Sequence, residues 1–308
     1  MPHLKDYLLL HFIVLIWGFT AILGLLIQIP AVEMVFYRTL IAAVLLLWLL
    51  YARRKSLRLP WQEILKLLGT GVFIATHWIL FFASAKVSNA SVCLAGMTTA
   101  SLWVSFLEPL FHRRKVRFYE IFLAMIIILG LYVIFRFEFN HFLGLALALL
   151  SAFWVAVFSV INSLLVRRHN HYVITFYEMT GACLSIVLFF PIYVPYLSEN
   201  HTLQLMPGLM DWVYLLILAG ICTVYAYSTG VKLMTKFSAY AINLTVNLEP
   251  VYGIILAFLI FGEKEKMTGG FYLGTLIILA AVGMYPLLKR YSESTKMKFF
   301  KTKKLQSL

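Results

Sequence analysis

Apolar residues run along this chain in long blocks rather than in alternation. Windows of about 20 apolar residues fit a bilayer hydrocarbon core of about 30 Å. Ten such blocks follow one another, near 7–29, 31–52, 64–85, 88–111, 117–136, 142–165, 172–193, 211–232, 238–261 and 267–288, with short polar joints between them. A barrel strand would need period-two alternation over about 10 residues, and none of the blocks shows it. The pattern therefore predicts an all-α integral membrane protein of ten transmembrane helices. The first block is too long for the apolar region of a signal peptide and no small-residue cleavage site follows it, so it is expected to stay in the chain.

Composition agrees: 62% of the 308 residues are hydrophobic, 13% are charged and mean hydropathy is +0.88. A soluble domain is only about 45–50% apolar. The net charge of +13 would suit nucleic acid only on a packed soluble face, which this chain does not offer, so no nucleic-acid partner is expected. The membrane explains the charge instead. With a cytoplasmic N-terminus, 20 of the 26 Lys and Arg residues fall in inner joints and tails: Lys5, Arg53, Arg54, Lys55, Arg58, Arg113, Arg114, Lys115, Arg117, Arg167, Arg168, Lys232, Lys236 and seven from Lys289 onward. The outer joints hold Lys86, Arg136, Lys264 and Lys266, while Arg38 and Lys66 fall inside spans. This positive-inside bias predicts that both termini are cytoplasmic. The basic tail "KMKFFKTKK" suits anionic lipid headgroups. Cys93, Cys183 and Cys222 lie in apolar blocks without metal-ligand spacing and are read as small core residues.

The chain also resembles itself. "KVSNASVCLAGMTTASLW" (86–103) matches "KFSAYAINLTVNLEPVYG" (236–253) without gaps at an offset of 150, and "FLAMIIIL" (122–129) matches "YLGTLIIL" (272–279) at the same offset. At slightly different offsets "VFYR" (35–38) meets "TFYE" (175–178), and Trp17 meets Trp154. The expected organisation is a first five-helix repeat over 1–138, a second over 139–290 and a basic cytoplasmic tail over 291–308. Five is odd, so the copies enter the membrane from opposite sides as inverted repeats, a plan that places substrate at the midplane between them.

A residue about 10 or 11 positions into a span lies near the bilayer centre. That depth holds Trp17, His77, Thr98, Thr99, Trp154, Tyr225, Tyr227, Asn247 and Glu249, which are the candidate substrate-cavity residues. A charge in lipid costs at least about 3 kcal/mol, so Glu249 must face a cavity, find a partner or carry a proton; stapling a neighbouring helix is the alternative. Pro250 removes a helical hydrogen bond and crowds the Val246 carbonyl, predicting a kink beside Glu249. His77 is either a satisfied packing residue or a proton carrier. Trp17 and Trp154 either fill volume or form aromatic walls able to stack on a cation or ring. Arg38 and Glu178 match across the repeats, but inversion sends them toward opposite sides, so each is expected to gate its own end or pair locally, Arg38 with Glu33.

The stretch "NLEPVYGIILAFLIFGEKEKMTGGFYLGTLIILAAVGM" (247–284) resembles the span-nine to span-ten pattern of the EamA family in the drug/metabolite transporter superfamily. "FASAKVSNAS" (82–91) is similar to that family's joint between spans three and four, and "FYRTLIAAVLLL" (36–47) to its second span. In the first half "TTASLW" and "HRRK" stand where many members carry a proline and a following Gly-Glu. The resemblance implies a permease of the bacterial inner membrane, commonly an exporter of amino acids or other small metabolites, with Trp17, His77, Thr99, Trp154, Tyr227 and Glu249 around its central cavity. The expected function is alternating-access transport of a small-molecule substrate, with protons as the candidate coupling ion and no cofactor. A non-transporting receptor or structural membrane protein is the main alternative. A membrane enzyme is less favoured, because no His-Glu-x-x-His, Gly-x-Ser-x-Gly, P-loop or close carboxylate cluster occurs. Oligomeric state leaves no trace in the sequence.

Overall fold

The computed structural model describes residues 2–111, 118–137, 139–198 and 201–306. Its helices are α1 (Leu4–Gly18), α2 (Thr20–Leu26), α3 (Ala31–Ala52), α4 (Trp61–Val87), α5 (Ala90–Met97), α6 (Ala100–Phe111) and α7 (Phe118–Phe137). There follow α8 (Phe142–Leu165), α9 (His171–Tyr196), α10 (Leu209–Ile217), a π-helical stretch (Leu218–Tyr227), α11 (Ser228–Leu233), α12 (Ala239–Val246), α13 (Glu249–Phe261) and α14 (Gly269–Gln306). No strand occurs among the described residues.

Eight of the ten expected blocks are continuous or broken helices long and apolar enough to cross a membrane: Leu4–Leu26, Ala31–Ala52, Trp61–Val87, Ala90–Phe111, Phe142–Leu165, His171–Tyr196, Leu209–Leu233 and Ala239–Glu265. The fifth and tenth blocks correspond to α7 and α14, whose apolar stretches are shorter, Phe122–Ile134 and Gly269–Ala281. These two pack on each other, and their Leu123, Ile127, Ile134, Phe271 and Ile278 join residues of α5, α6, α8 and α12 in a second, smaller core. α14 continues to Gln306, past the expected start of the tail at 291. The basic stretch with Arg113, Arg114, Lys115 and Arg117 lies outside the described residues, as do the side chains of the tail lysines.

Elements from the two ends of the chain interleave. α4 lies against α8 and α9, α3 against α9 and the π stretch, α5 against α13 and α6 against α12. The repeat-matched lysines brace the first span from both ends: Lys236 pairs with Asp6 at 2.6 Å, and Lys86 Nζ donates to the Ile27 carbonyl at 2.7 Å, where α2 leaves its last carbonyls open. Trp48, Tyr51 and Trp61 stand outward around the 52–61 joint, and Tyr196 near the opposite end of α9, as rings at a membrane–water boundary do.

Three spans break near mid-length, and each break has a local chemical cause. Pro250 has no N–H to offer the Val246 carbonyl, and the chain restarts with Glu249 and Pro250 as the opening residues of α13, where a missing N–H costs nothing. Between α5 and α6 no proline is present. There the hydroxyls of Thr98 and Thr99 bond back to the carbonyls of Ala95 (2.6 Å) and Gly96 (2.8 Å), giving the backbone an alternative to continued helix. Thr20 does the same to the Trp17 carbonyl at 2.7 Å between α1 and α2. Irregular backbone at membrane depth persists only where protein or a cavity satisfies it.

α4 and α9 meet backbone to backbone. A Cβ on Gly181 would collide with the Leu68 backbone, and one on Gly71 with the backbone of Glu178 and Ala182. Small residues permit such contact in membranes, where packing rather than solvent exclusion drives helix association. Gly181→Leu is expected to destabilise the protein by about 1–3 kcal/mol, the usual overpacking cost, seen as earlier thermal aggregation in detergent. Gly69→Ala, with no neighbour within 4 Å of its Cβ position, should leave the transition unchanged. Equal transitions for wild type and Gly181→Leu would remove this contact from the account.

Candidate functional site

All four helix irregularities border one cavity of about 90 Å³. Trp17 and Thr20 flank the α1/α2 break, Met97 and Ala100 the α5/α6 break, and Val246 and Glu249 the α12/α13 break, while Tyr227 closes the π stretch. Arg38 and Trp78 enter from α3 and α4, and Phe158 and Ser159 from α8.

Two lining residues are charged, and they do not pair with each other. Arg38 is 2% exposed; its guanidinium lies 3.6 Å from the centroid of the Trp78 ring, and its Nε donates to Thr223 Oγ1 at 2.8 Å. Among the described residues it forms no ion pair. Glu249, 7% exposed, has no hydrogen-bond partner among the described residues. Its place at the head of α13 puts the carboxylate at the positive end of that helix dipole. The cavity thus offers a stacked guanidinium and an open carboxylate amid aromatic rings.

The π stretch supplies the seat for Arg38. Its wider turn lets Thr223 Oγ1 donate to Leu218 O at 2.9 Å, five residues back, while accepting from Arg38. Trp17 Nε1 donates to Cys222 O in the same stretch at 3.2 Å. His77 Nδ1 faces Ser151 O at 3.0 Å and Ser151 Oγ at 2.8 Å, and that hydroxyl's proton goes to His77 O at 2.8 Å. Both partners of Nδ1 are then acceptors, which assigns the ring proton to Nδ1 and leaves Nε2 as the basic atom.

Of the residues chosen by depth, Trp17, His77, Tyr227 and Glu249 line the cavity. Thr98, Thr99, Trp154, Tyr225 and Asn247 do not. Depth fixes height along a helix but not direction around it. Tyr225, two residues from Tyr227, points to the opposite face, is 43% exposed and meets Phe12 edge-on. Trp154 stacks on Phe73 with centroids 5.2 Å apart. Thr98 and Thr99 are consumed by their own turn, and Asn247 Nδ2 donates to Ser101 Oγ at 2.9 Å, tying one helix break to the other. Pro250 is buried behind the wall and sets the break. Arg38 does not pair with Glu33, whose carboxylate accepts from Tyr193 OH (3.1 Å) and Gln204 N (3.2 Å). Glu178 is buried outside the cavity, joined to it through Tyr227.

The lining is lopsided. It reaches Met234, Ile242 and Asn243 beside the 234–238 joint. Their counterparts at the offset of 150, Ser84, Val92 and Cys93, are at most 1% exposed and lie outside it. Ser84 Oγ donates to Gly144 O at 2.7 Å and Cys93 Sγ to Phe81 O at 3.2 Å. At this sealed end Glu265 accepts from Ala90 N (3.0 Å), Ser91 N (2.9 Å) and Ser91 Oγ (2.7 Å), holding the start of α5.

Residues 4–136 and 142–285 match the EamA-like transporter family. The chain belongs to that family. EamA proteins form part of the drug/metabolite transporter superfamily. An Archaeoglobus fulgidus protein named an uncharacterized transporter is 24% identical over 294 residues, covering 90% of this chain and 96% of its own length. A second protein of the same name and organism is 23% identical over 196 residues, covering 61% of this chain and 68% of its own length. A crystal structure superposes with a TM-score of 0.65 at 18% identity, over 93% of this chain and 99% of that one, a likeness of fold alone. With its apolar helices, this EamA chain is a multi-pass membrane transporter.

Glu265 escaped the sequence reading, although it sits in the "FGEKE" joint that carries the family resemblance. Removing a charged acceptor from buried donors costs about 1–3 kcal/mol. Glu265→Ala is expected to lower thermal stability by that order and to speed proteolysis or hydrogen exchange at residues 88–93, measured by mass spectrometry. Unchanged exchange there would show that the start of α5 is held by something else.

Proposed function

We propose that this EamA-like transporter carries a small amphipathic solute bearing both an anionic and a cationic group, of the amino-acid kind, across the bacterial inner membrane by alternating access. The observation that carries the reading is the pair Arg38 and Glu249 in one buried cavity without a bond between them. Each buried charge demands compensation, and a zwitterionic solute supplies it to both at once, its carboxylate to the guanidinium and its ammonium to Glu249. Trp17, Trp78 and Phe158 provide apolar and cation–π surface for the remainder. A volume of about 90 Å³ is far below the 300 Å³ or more of drug-sized pockets and suits a small metabolite.

Alternating access follows from two inverted five-helix repeats, 1–138 and 139–290, within ten spans. Support comes from the 150-residue offset, from helix breaks at 98–99 and 247–248 that coincide under it to within one residue, and from two separate family matches, 4–136 and 142–285. One end of the cavity is sealed around Glu265, and the other reaches the 234–238 joint, which the Lys and Arg distribution places in the cytoplasm together with both termini. The conformation is then the inward-facing one, and exchanging the packings of the two repeats generates its outward-facing counterpart. Export is the expected direction, and protons are the candidate coupling ion.

Counterflow in proteoliposomes tests the reading. Wild type is expected to exchange a zwitterionic amino acid saturably, and Glu249→Gln and Arg38→Gln each to weaken apparent affinity by at least about tenfold, or about 1.4 kcal/mol. The decarboxylated amine should depend on Glu249 and be indifferent to Arg38→Gln. Equal affinities in wild type and both variants would sink the charge-pair reading.

A further inference from the structure

Beside the cavity lies a second cluster that the solute site does not use. Tyr227 OH donates to Glu178 Oε2 at 3.0 Å and accepts from Asn162 Nδ2 at 2.8 Å. The Asn162 amide also lies against the Glu178 carboxylate. Glu178 and Asn162 are 0% exposed, and two of their atoms, Glu178 Oε1 and Asn162 Oδ1, have no hydrogen-bond partner among the described residues. Both orphans are acceptors. An ionised Glu178 would bury an uncompensated charge next to a second unsatisfied oxygen, whereas the neutral acid removes the charge and adds one donor to a cluster short of one.

The other ionisable groups around α9 are already engaged or distant. From α3, Arg38 is bound to Thr223, Glu33 to Tyr193 and Gln204, and Tyr37 to Leu205 O. From α4, His77 is bound to Ser151, Lys66 to Glu63 and Lys86 to Ile27 O. Cys222 and Lys232 come from the π stretch and α11; α8 carries no ionisable side chain. On α9 itself, Tyr177 OH donates to Leu57 O, and His171 and Cys183 lie seven and five residues from Glu178 along the chain. No cation among these meets the Glu178 carboxylate.

We propose that Glu178, bridged to Asn162 and to the solute cavity by Tyr227, is a proton-binding site of the carrier. A proton reaching the Tyr227 oxygen from the cavity displaces the hydroxyl's own proton onto Glu178 Oε2, and the reverse transfer returns it, so protons balance at each step. Tyr227 belongs to both sites: its ring lines the cavity at 7% exposure while its hydroxyl holds the carboxyl. Occupancy of the cavity and protonation of Glu178 are thereby linked through one side chain. The coupling role rests on the transport reading above; the protonation itself does not.

Infrared difference spectroscopy of the full-length protein in lipid, between acid and alkaline buffer, tests the site without any solute. The expected result is a carboxylic-acid carbonyl band that disappears in Glu178→Gln and shifts in Asn162→Ala, which keeps the carboxyl. A band unchanged in Glu178→Gln, or no such band in wild type, overturns the proposal. So does a tryptophan-fluorescence response to sodium at constant pH that Glu178→Gln abolishes, since the site would then hold a metal cation. In proteoliposomes, Glu178→Gln should keep counterflow and lose accumulation driven by a pH gradient; retained accumulation would also overturn coupling through Glu178. A wild type that shows the band but no counterflow with any solute would sink the transport reading and leave the proton site standing.

Discussion

A guanidinium and a carboxylate buried in one cavity without a bond between them set the terms for this structure. Either charge alone would cost at least about 3 kcal/mol at membrane depth, and the protein lowers that cost without cancelling it. Arg38 stacks on Trp78 and bonds to Thr223; Glu249 gains the helix dipole of α13 and little else. A protein selected only for stability would have paired them or replaced them with apolar residues of similar volume. In the function proposed above, an incoming solute is the missing partner of both.

The rest of the architecture serves to hold those two groups apart and open. Glu249 reaches the cavity because Pro250 restarts the helix there, and Arg38 is held because the π stretch turns Thr223 toward it. The breaks at Thr98–Thr99 and Asn247–Leu248 are tied together by Asn247 and Ser101, so the irregular backbone of the two halves forms one connected unit. Close packing of α4 on α9 through Gly71 and Gly181 gives a rigid wall behind it. Glu265 fastens the start of α5, and Ser238 Oγ, 3.1 Å from Ala241 N, caps the start of α12. In the alternating-access reading proposed above, release of this carboxylate accompanies opening of the sealed end, which makes Glu265 a tunable element in a two-state equilibrium.

Span positions and the Pro250 break could be read from the sequence because hydropathy blocks and a missing N–H are local properties. The family resemblance was equally legible in "NLEPVYGIILAFLIFGEKEKMTGG". Direction around each helix was not. Counting residues selects Thr98, Thr99, Trp154, Tyr225 and Asn247 by depth alone, and none of them lines the cavity. The inverted match of Arg38 with Glu178 points to gating of a pathway end or local pairing with Glu33, yet the length of Arg38 carries its guanidinium under Trp78 and into the cavity wall. Residues 218–227 have no proline or sequence mark to announce a π turn, and the links from Glu178 to Tyr227 and from Glu265 to Ser91 span 49 and 174 residues. Such contacts exist only after the helices pack.

Native Cys93 offers the most direct probe of a single cavity opening alternately at two ends, because its repeat counterpart Asn243 lines the cavity while Cys93 itself is buried outside it. With Cys183 and Cys222 replaced by alanine, its reaction with a small membrane-impermeant thiol reagent can be followed in oriented membrane vesicles. The expectation is protection at rest, reaction only from the side opposite Lys236 while solute is turning over, and the converse sidedness for Asn243→Cys in a Cys93→Ala background. Reaction of both positions from the same side, or a Cys93 that stays protected throughout turnover, would contradict alternating access through this cavity.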